Sequence, residues 1–117
     1  MLEIKKELKD KYIEYHFNGT IRKNDLSRVE TMIIEDIAYT YTMIFNFTHL
    51  DYLSAEAANM LKEVYVLSVK YACTVLLSGI NAETAMMLEI FQLDTLYPVI
   101  DSGDIFDGDG HESIYYA

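Results

Sequence analysis

The stretch Tyr41–Leu61, YTMIFNFTHLDYLSAEAANML, decides how the chain is read. Its first seven residues are apolar or β-prone almost without a break, the pattern of a strand covered on both faces and therefore central in its sheet. The run ends before His49 and Asp51. Ser54 then offers a hydroxyl cap, and Glu56 puts an acid in a first helical turn, where exposed amides and the helix dipole are positive. Ala57, Leu61, Val64 and Ser68 continue as one stripe to about Tyr71, widened by Met60 and Leu67. Small residues at Ala55, Ala57 and Ala58 let this helix approach a sheet closely.

The same succession repeats downstream. CTVLLSG (Cys73–Gly79) reads as a second buried strand, and NAETAMMLEIFQL (Asn81–Leu93) as a helix capped by Asn81 with Ala85, Leu88 and Phe91 inward. TLYPVI (Thr95–Ile100) is a short final strand at most, because Pro98 removes a ladder donor. Upstream, LEIKKEL (Leu2–Leu8) alternates in polarity, KDK makes a tight connection, and YIEYHFNG (Tyr12–Gly19) sets Ile13, Tyr15 and Phe17 on one face, which predicts a hairpin ending at Gly19. Asn24 or Asp25 can cap a helix whose Leu26, Val29, Ile33 and Ile37 recur at helical spacing. The expected fold is α/β: one domain over residues 1–102, with a mixed sheet made of an N-terminal hairpin followed by parallel strands, right-handed crossovers, and helices chiefly on one face. Residues 103–117 read as an acidic, glycine-rich tail.

At 117 residues the chain is one domain in size, large enough for a core without disulfide or metal staples. The formal net charge is −10, and all nine Lys and Arg lie at or before Lys70. Such a field disfavours phosphate backbones and anionic lipid surfaces and suits a basic protein partner, although acidity also serves solubility alone. No apolar run approaches the length of a membrane span, and the opening MLEIKKELKDKY is charged rather than signal-like, so the expectation is a soluble, cytoplasmic protein without nucleic-acid partners or membrane insertion. The single cysteine, Cys73, allows no disulfide within the chain and reads as a buried, inert thiol. Of the ten tyrosines, Tyr39, Tyr41, Tyr52, Tyr65, Tyr71 and Tyr97 fall within or beside predicted elements; most are expected at the edge of the core with hydroxyls in water, and Tyr52, beside the start of the second helix, is a candidate anchor for a protein contact.

Nothing in the sequence assembles a catalytic constellation. His49, Asp51 and Glu56 fall within eight positions, but no fixed nucleophile, second base or anion cradle accompanies them. His16 alternates with Tyr12 and Glu14 on the less apolar face of its strand. In DSGDIFDGDGHESIYYA, the acids Asp101, Asp104, Asp107, Asp109 and Glu112 suggest calcium, yet the register of a calcium loop is missing. SIYYA could pair as an edge strand. The expectation is therefore a non-enzyme with no metal and no cofactor.

Three segments in order carry a resemblance: FNGTIRKNDLSRVE (Phe17–Glu30), MIFNFTHLDYLSAEAANML (Met43–Leu61) and VLLSGINAETAMMLEIFQLDTLYPVIDS (Val75–Ser102). Together they resemble the STAS domain, the α/β module of anti-sigma factor antagonists and of the cytoplasmic ends of sulfate transporters. The resemblance implies a bacterial protein-interaction module of partner switching and transcription regulation, whose partner is an anti-sigma factor that is also a serine kinase-like protein. In such members the loop before the second helix reads roughly Asp-Ser-Ser-Gly and its second hydroxyl is phosphorylated. Laid on that pattern, Ser54 takes the Asp position, Ala55 the first hydroxyl, Glu56 the phosphoacceptor and Ala57 the glycine. Glu56 is then either a permanent, phosphomimetic charge or only a helix-start carboxylate. The partner surface the resemblance implies comprises Asp51, Tyr52, Ser54, Glu56 and Asn59, and a homodimer is compatible with it. The alternative is a STAS-type structural or small-ligand-binding subunit of a transport assembly, using a pocket between the sheet and the first helix.

Overall fold

The structure is a computed structural model that describes residues 1–100. The expectations for the tail, its calcium reading and the SIYYA edge strand lie outside the described residues. Strands β1 (Glu3–Leu8) and β2 (Ile13–Thr20) form the antiparallel hairpin that the alternation predicts, with Ile4 opposite Phe17 and Glu7 opposite Glu14. A single turn of 3-10 helix over Lys23–Asp25 leads into α1 (Leu26–Ile37). Strands β3 (Thr42–Asn46) and β4 (Leu50–Tyr52), helix α2 (Ala55–Lys70), strand β5 (Thr74–Ser78), helix α3 (Ala82–Ile90) and strand β6 (Val99–Ile100) follow. The sheet runs β1-β2-β3-β5-β6, with β4 pairing with β2 off that path. Among the described residues every pairing except the hairpin is parallel.

The central position of β3 follows from its composition: Met43, Ile44 and Phe45 are all buried. Alternation divides the sheet. Tyr15, Phe17, Met43, Phe45, Val75 and Leu77 face the helices and join Val29, Ile33, Ile37, Leu61, Val64 and Leu88 in one core. Ile44 turns the other way, into a smaller cluster with Tyr12, Leu76 and Ile100. Helices α1, α2 and α3 therefore pack on one face.

Several local expectations are corrected. Gly19 does not end β2; it sits at φ +105 in an irregularity of the β2–β4 pairing, and the strand continues to Thr20. Asp25 takes the N-cap position of α1, as expected, but its side chain makes no cap hydrogen bond there; the carboxylate accepts from the Arg22 amide at 2.9 Å. In α3 Leu88 is buried and Phe91 packs against the core as expected, but Ala85 is exposed and Thr84, one turn before Leu88, takes the inward place. Tyr97 is buried rather than peripheral: its hydroxyl donates to the Leu61 carbonyl at 2.5 Å and its ring meets Tyr65 edge-on at 5.8 Å, which ties the last loop to the middle of α2.

Two helices end in the same way. At the end of α2 the Cys73 amide donates to Ser68 O at 2.9 Å and the Ala72 amide to Val69 O at 3.2 Å, with Ala72 at φ +54. At the end of α3 the Leu93 amide donates to Leu88 O at 2.8 Å and the Gln92 amide to Glu89 O at 3.0 Å, with Gln92 at φ +61. Both are Schellman endings, in which the left-handed residue is usually glycine because a Cβ costs energy there. Ala72→Gly and Gln92→Gly should each raise unfolding stability by about 1 kcal/mol in urea titrations. Gly79 has the opposite constraint. It sits at φ +70, and a Cβ would collide with Thr48 and Asn46, so Gly79→Ala should lower stability by about 1–3 kcal/mol in the same assay.

Candidate functional site

The start of α2 is built on buried supports. Leu50 and Leu53 anchor the segment before it, and β4 pairs with the end of β2, so Asp51 and Tyr52 stand exposed on a short strand rather than on the loop that the sequence suggests. Ser54 caps the helix: its Oγ accepts from the Ala57 amide at 3.1 Å and donates to the Ile21 carbonyl at 3.4 Å. With both its donor and an acceptor engaged, the Ser54 hydroxyl has a structural task. Glu56 is exposed in the first turn, where the helix end favours a carboxylate.

Glu56 and Asn59 stand one turn apart and line a groove of about 200 Å³ between α1 and α2, shared with Leu26, Glu30, Met60 and Glu63. The floor is apolar and the rim carries three carboxylates. Burial, followed by a hydrogen bond and charge repulsion from Glu63, holds the Glu30 carboxyl above its ordinary range. Among the described residues no Lys, Arg or His forms an ion pair with Glu30, Glu56 or Glu63. Of the residues expected at a partner surface, the groove thus joins Glu56 and Asn59. Ser54 supports it from below, and Asp51 and Tyr52 lie outside its lining. Glu30 and Glu63 were not anticipated. Glu63 follows Glu56 at helical spacing and was within reach of a sequence reading, whereas Glu30 arrives from another helix and needed the packing.

His49, Asp51 and Glu56 do not converge; the described residues hold one cluster of metal-ligating type, elsewhere, at Glu7, Glu14 and His16. The depression between sheet and α1 lies at the opposite end of the sheet, about 940 Å³ and lined in part by Lys6, Leu8, Asp36, Tyr39 and Tyr41. Cys73 is buried, and burial pushes its thiol up, away from the reactive thiolate. Among the described residues no helix is long and apolar enough to cross a membrane.

The raised Glu30 carboxyl fixes the sign of a pH effect. Its folded-state value lies above the unfolded one, so the stability it contributes is present in acid and is lost as pH rises through the folded value. Glu30→Gln should therefore unfold at higher urea than the parent protein at pH 7, with the difference vanishing at pH 4. Ser54→Ala should cost about 1 kcal/mol at both pH values.

The STAS domain family model matches residues 3–104. No curated protein matches the chain by sequence. Among solved structures, the chain is similar to an anti-sigma factor antagonist from Mycobacterium paratuberculosis, with 15% identity, 85% of each chain covered and a TM-score of 0.74. It is similar to RsbS of Moorella thermoacetica in a serine-to-glutamate variant, with 16% identity, 86% of each chain covered and a TM-score of 0.71. It is also similar to the Bacillus cell fate determinant SpoIIAA in its phosphorylated form, with 12% identity, 87% of this chain and 91% of that one covered, and a TM-score of 0.67. At these identities the structural likeness speaks for the fold, and the family match over nearly the whole described chain carries the assignment: the protein belongs to the STAS domain family.

Proposed function

We propose that this chain is a non-catalytic interaction module of bacterial signalling that docks a protein partner on the start of α2 and the adjoining α1–α2 groove. The observation that carries the reading is Glu56: an exposed carboxylate in the first turn of α2, on a groove whose other acids, Glu30 and Glu63, have no cation partner among the described residues. Similar proteins, SpoIIAA among them, are named as anti-sigma factor antagonists, and two similar structures are of phosphorylated SpoIIAA and of a serine-to-glutamate variant of RsbS. On that analogy the partner is an anti-sigma factor with a serine kinase-like fold, and Glu56 stands where its relatives carry the phosphoacceptor.

The chemistry separates this protein from a phosphorylation switch. Glu56 carries one charge on a planar two-oxygen head, where phosphoserine carries nearly two on three oxygens, and no kinase or phosphatase alters it. Ser54 is engaged as a cap and is not a substitute acceptor. The interaction is therefore set by a constant negative surface, which favours a partner face rich in Lys or Arg and makes association salt-sensitive.

The test is affinity capture from the native cytoplasm with identification by mass spectrometry, followed by calorimetry on the purified pair. A kinase-like partner should bind the parent protein, and Glu56→Lys should weaken binding about tenfold or more, with the loss steepest at low salt. With such a kinase, Glu56→Ser should become a phosphoacceptor while the parent protein takes up no phosphate at this helix start. Equal binding by the parent, Glu56→Lys and Glu63→Lys proteins would remove the groove from the interface and sink the reading.

A further inference from the structure

The face of the sheet turned away from the helices holds a cluster that the partner surface does not use. Glu7 and Glu14 are register partners across β1 and β2, and His16 stands two residues along β2. The three project together, because the intervening Tyr15 and the following Phe17 point into the core. Two carboxylates directly opposite one another on an antiparallel ladder repel. The donors around them answer that repulsion unevenly. His16 Nε2 lies 2.8 Å from Glu7 Oε1 and 3.7 Å from Glu14 Oε2. Lys5 and Lys9 approach Glu7 at 3.8 and 3.9 Å. Among the described residues, His16 is the only side chain of possible positive charge within ion-pair distance of Glu14, and it fills that role only when doubly protonated.

The geometry points to a divalent transition-metal site at Glu7, Glu14 and His16, taking zinc or cobalt(II) between the first two strands. One ligand atom from each side chain lies within 4.8 Å of the other two, and a paired antiparallel ladder fixes their spacing. An imidazole nitrogen with two carboxylate oxygens suits ions of the zinc class; calcium calls for six or more oxygens, and magnesium for an octahedron of oxygens and water. Binding replaces the proton that His16 Nε2 shares with Glu7 Oε1: the nitrogen lone pair goes to the metal and the proton to solvent. Asn46 orients the set from outside it, donating from Nδ2 to Glu14 Oε2 at 3.0 Å. The polar row continues on the same face through the register partners His16, Asn46 and Ser78, and Ser78 Oγ, on a residue only 3% exposed, has no hydrogen-bond partner among the described residues. A three-ligand ion keeps water in its remaining positions.

The experiment is calorimetric titration of the full chain, freed of metal by EDTA and dialysis, with zinc chloride. Visible absorption of added cobalt(II) and imidazole ¹⁵N spectra of the histidines accompany it. One equivalent should bind, with the His16 ring resonances shifted and those of His49 unmoved. His16→Ala and Glu14→Gln should each weaken zinc binding at least ~10-fold, Asn46→Ala by a similar or smaller factor, and His49→Ala not at all. Circular dichroism verifies that the variants fold; if His16→Ala does not, the ring spectra of the parent protein decide. Absence of saturable binding overturns the proposal, and so does zinc that binds equally to the parent and His16→Ala proteins or shifts another histidine while His16 stays put.

Discussion

Phe45 meets Tyr15 and Phe17 edge-on at 5.7 and 5.6 Å, and the rest of the fold depends on that contact. Both partners sit on β2, which pairs in parallel with β3 so that Tyr15 lies beside Phe45. Side chains alternate with a period of two, so a slip of one residue would turn Phe45 out of the core and bring Ile44 in. Phe47 extends the row against Phe17 at 5.6 Å. With the register held, the Tyr15 hydroxyl reaches Asp36 at 2.7 Å, and Lys6 reaches the same carboxylate at 3.1 Å. Those two contacts pin the last turn of α1 to the hairpin and counter an acid at a helix end whose dipole opposes it. Burial and the Asp36 carboxylate together keep the Tyr15 hydroxyl protonated, so it remains a donor.

The elements that could be read from the sequence were those whose signal is local and repeated. The apolar run of β3, the stripe Val29, Ile33 and Ile37, and the caps Ser54 and Asn81 each declare themselves within a few residues. The missed features depend on partners far along the chain. Strand β4 has three residues and exists through its pairing with Gly19 and Thr20. The end of α2 near Tyr71 was legible, but the left-handed turns at Ala72 and Gln92, where glycine is usual, were not. Tyr97 gave no sign that its hydroxyl would find Leu61, 36 residues earlier. At the candidate site Glu56 and Ser54 were legible, but the groove was not, because Glu30 reaches it only when α1 packs on α2.

The two polar regions illustrate different ways of handling like charge. Along the α1–α2 groove, Glu30 and Glu63 are close enough to perturb one another, and the strain is accepted at a surface suited to an oppositely charged visitor. On the open face of the sheet, Glu7 and Glu14 are register partners, and the hydrogen bond from His16 holds the Glu7 carboxyl below its ordinary range. Among the described residues, no cation of the chain answers the charge in the groove; on the open face Glu7 is answered, while Glu14 has only His16, at 3.7 Å, within ion-pair distance. A single small domain can thus present an acidic helix groove on one side and a partly answered carboxylate pair on the other.

The paired Schellman endings limit how the length of the chain can vary. Each passes directly from the last helical turn to a buried residue, Cys73 or Leu93, that fixes where the following segment enters. One residue added within α2 would turn everything after it by about 100° around the helix axis, aiming Cys73 and β5 away from their places. The hairpin tip at Asp10 and Lys11 is exposed and joins two antiparallel neighbours, so a change of length there turns no later element. Insertions and deletions among descendants of this sequence should therefore accumulate at the hairpin tip and spare the span from Ala55 to Leu77, making that span the dependable ruler for aligning distant members.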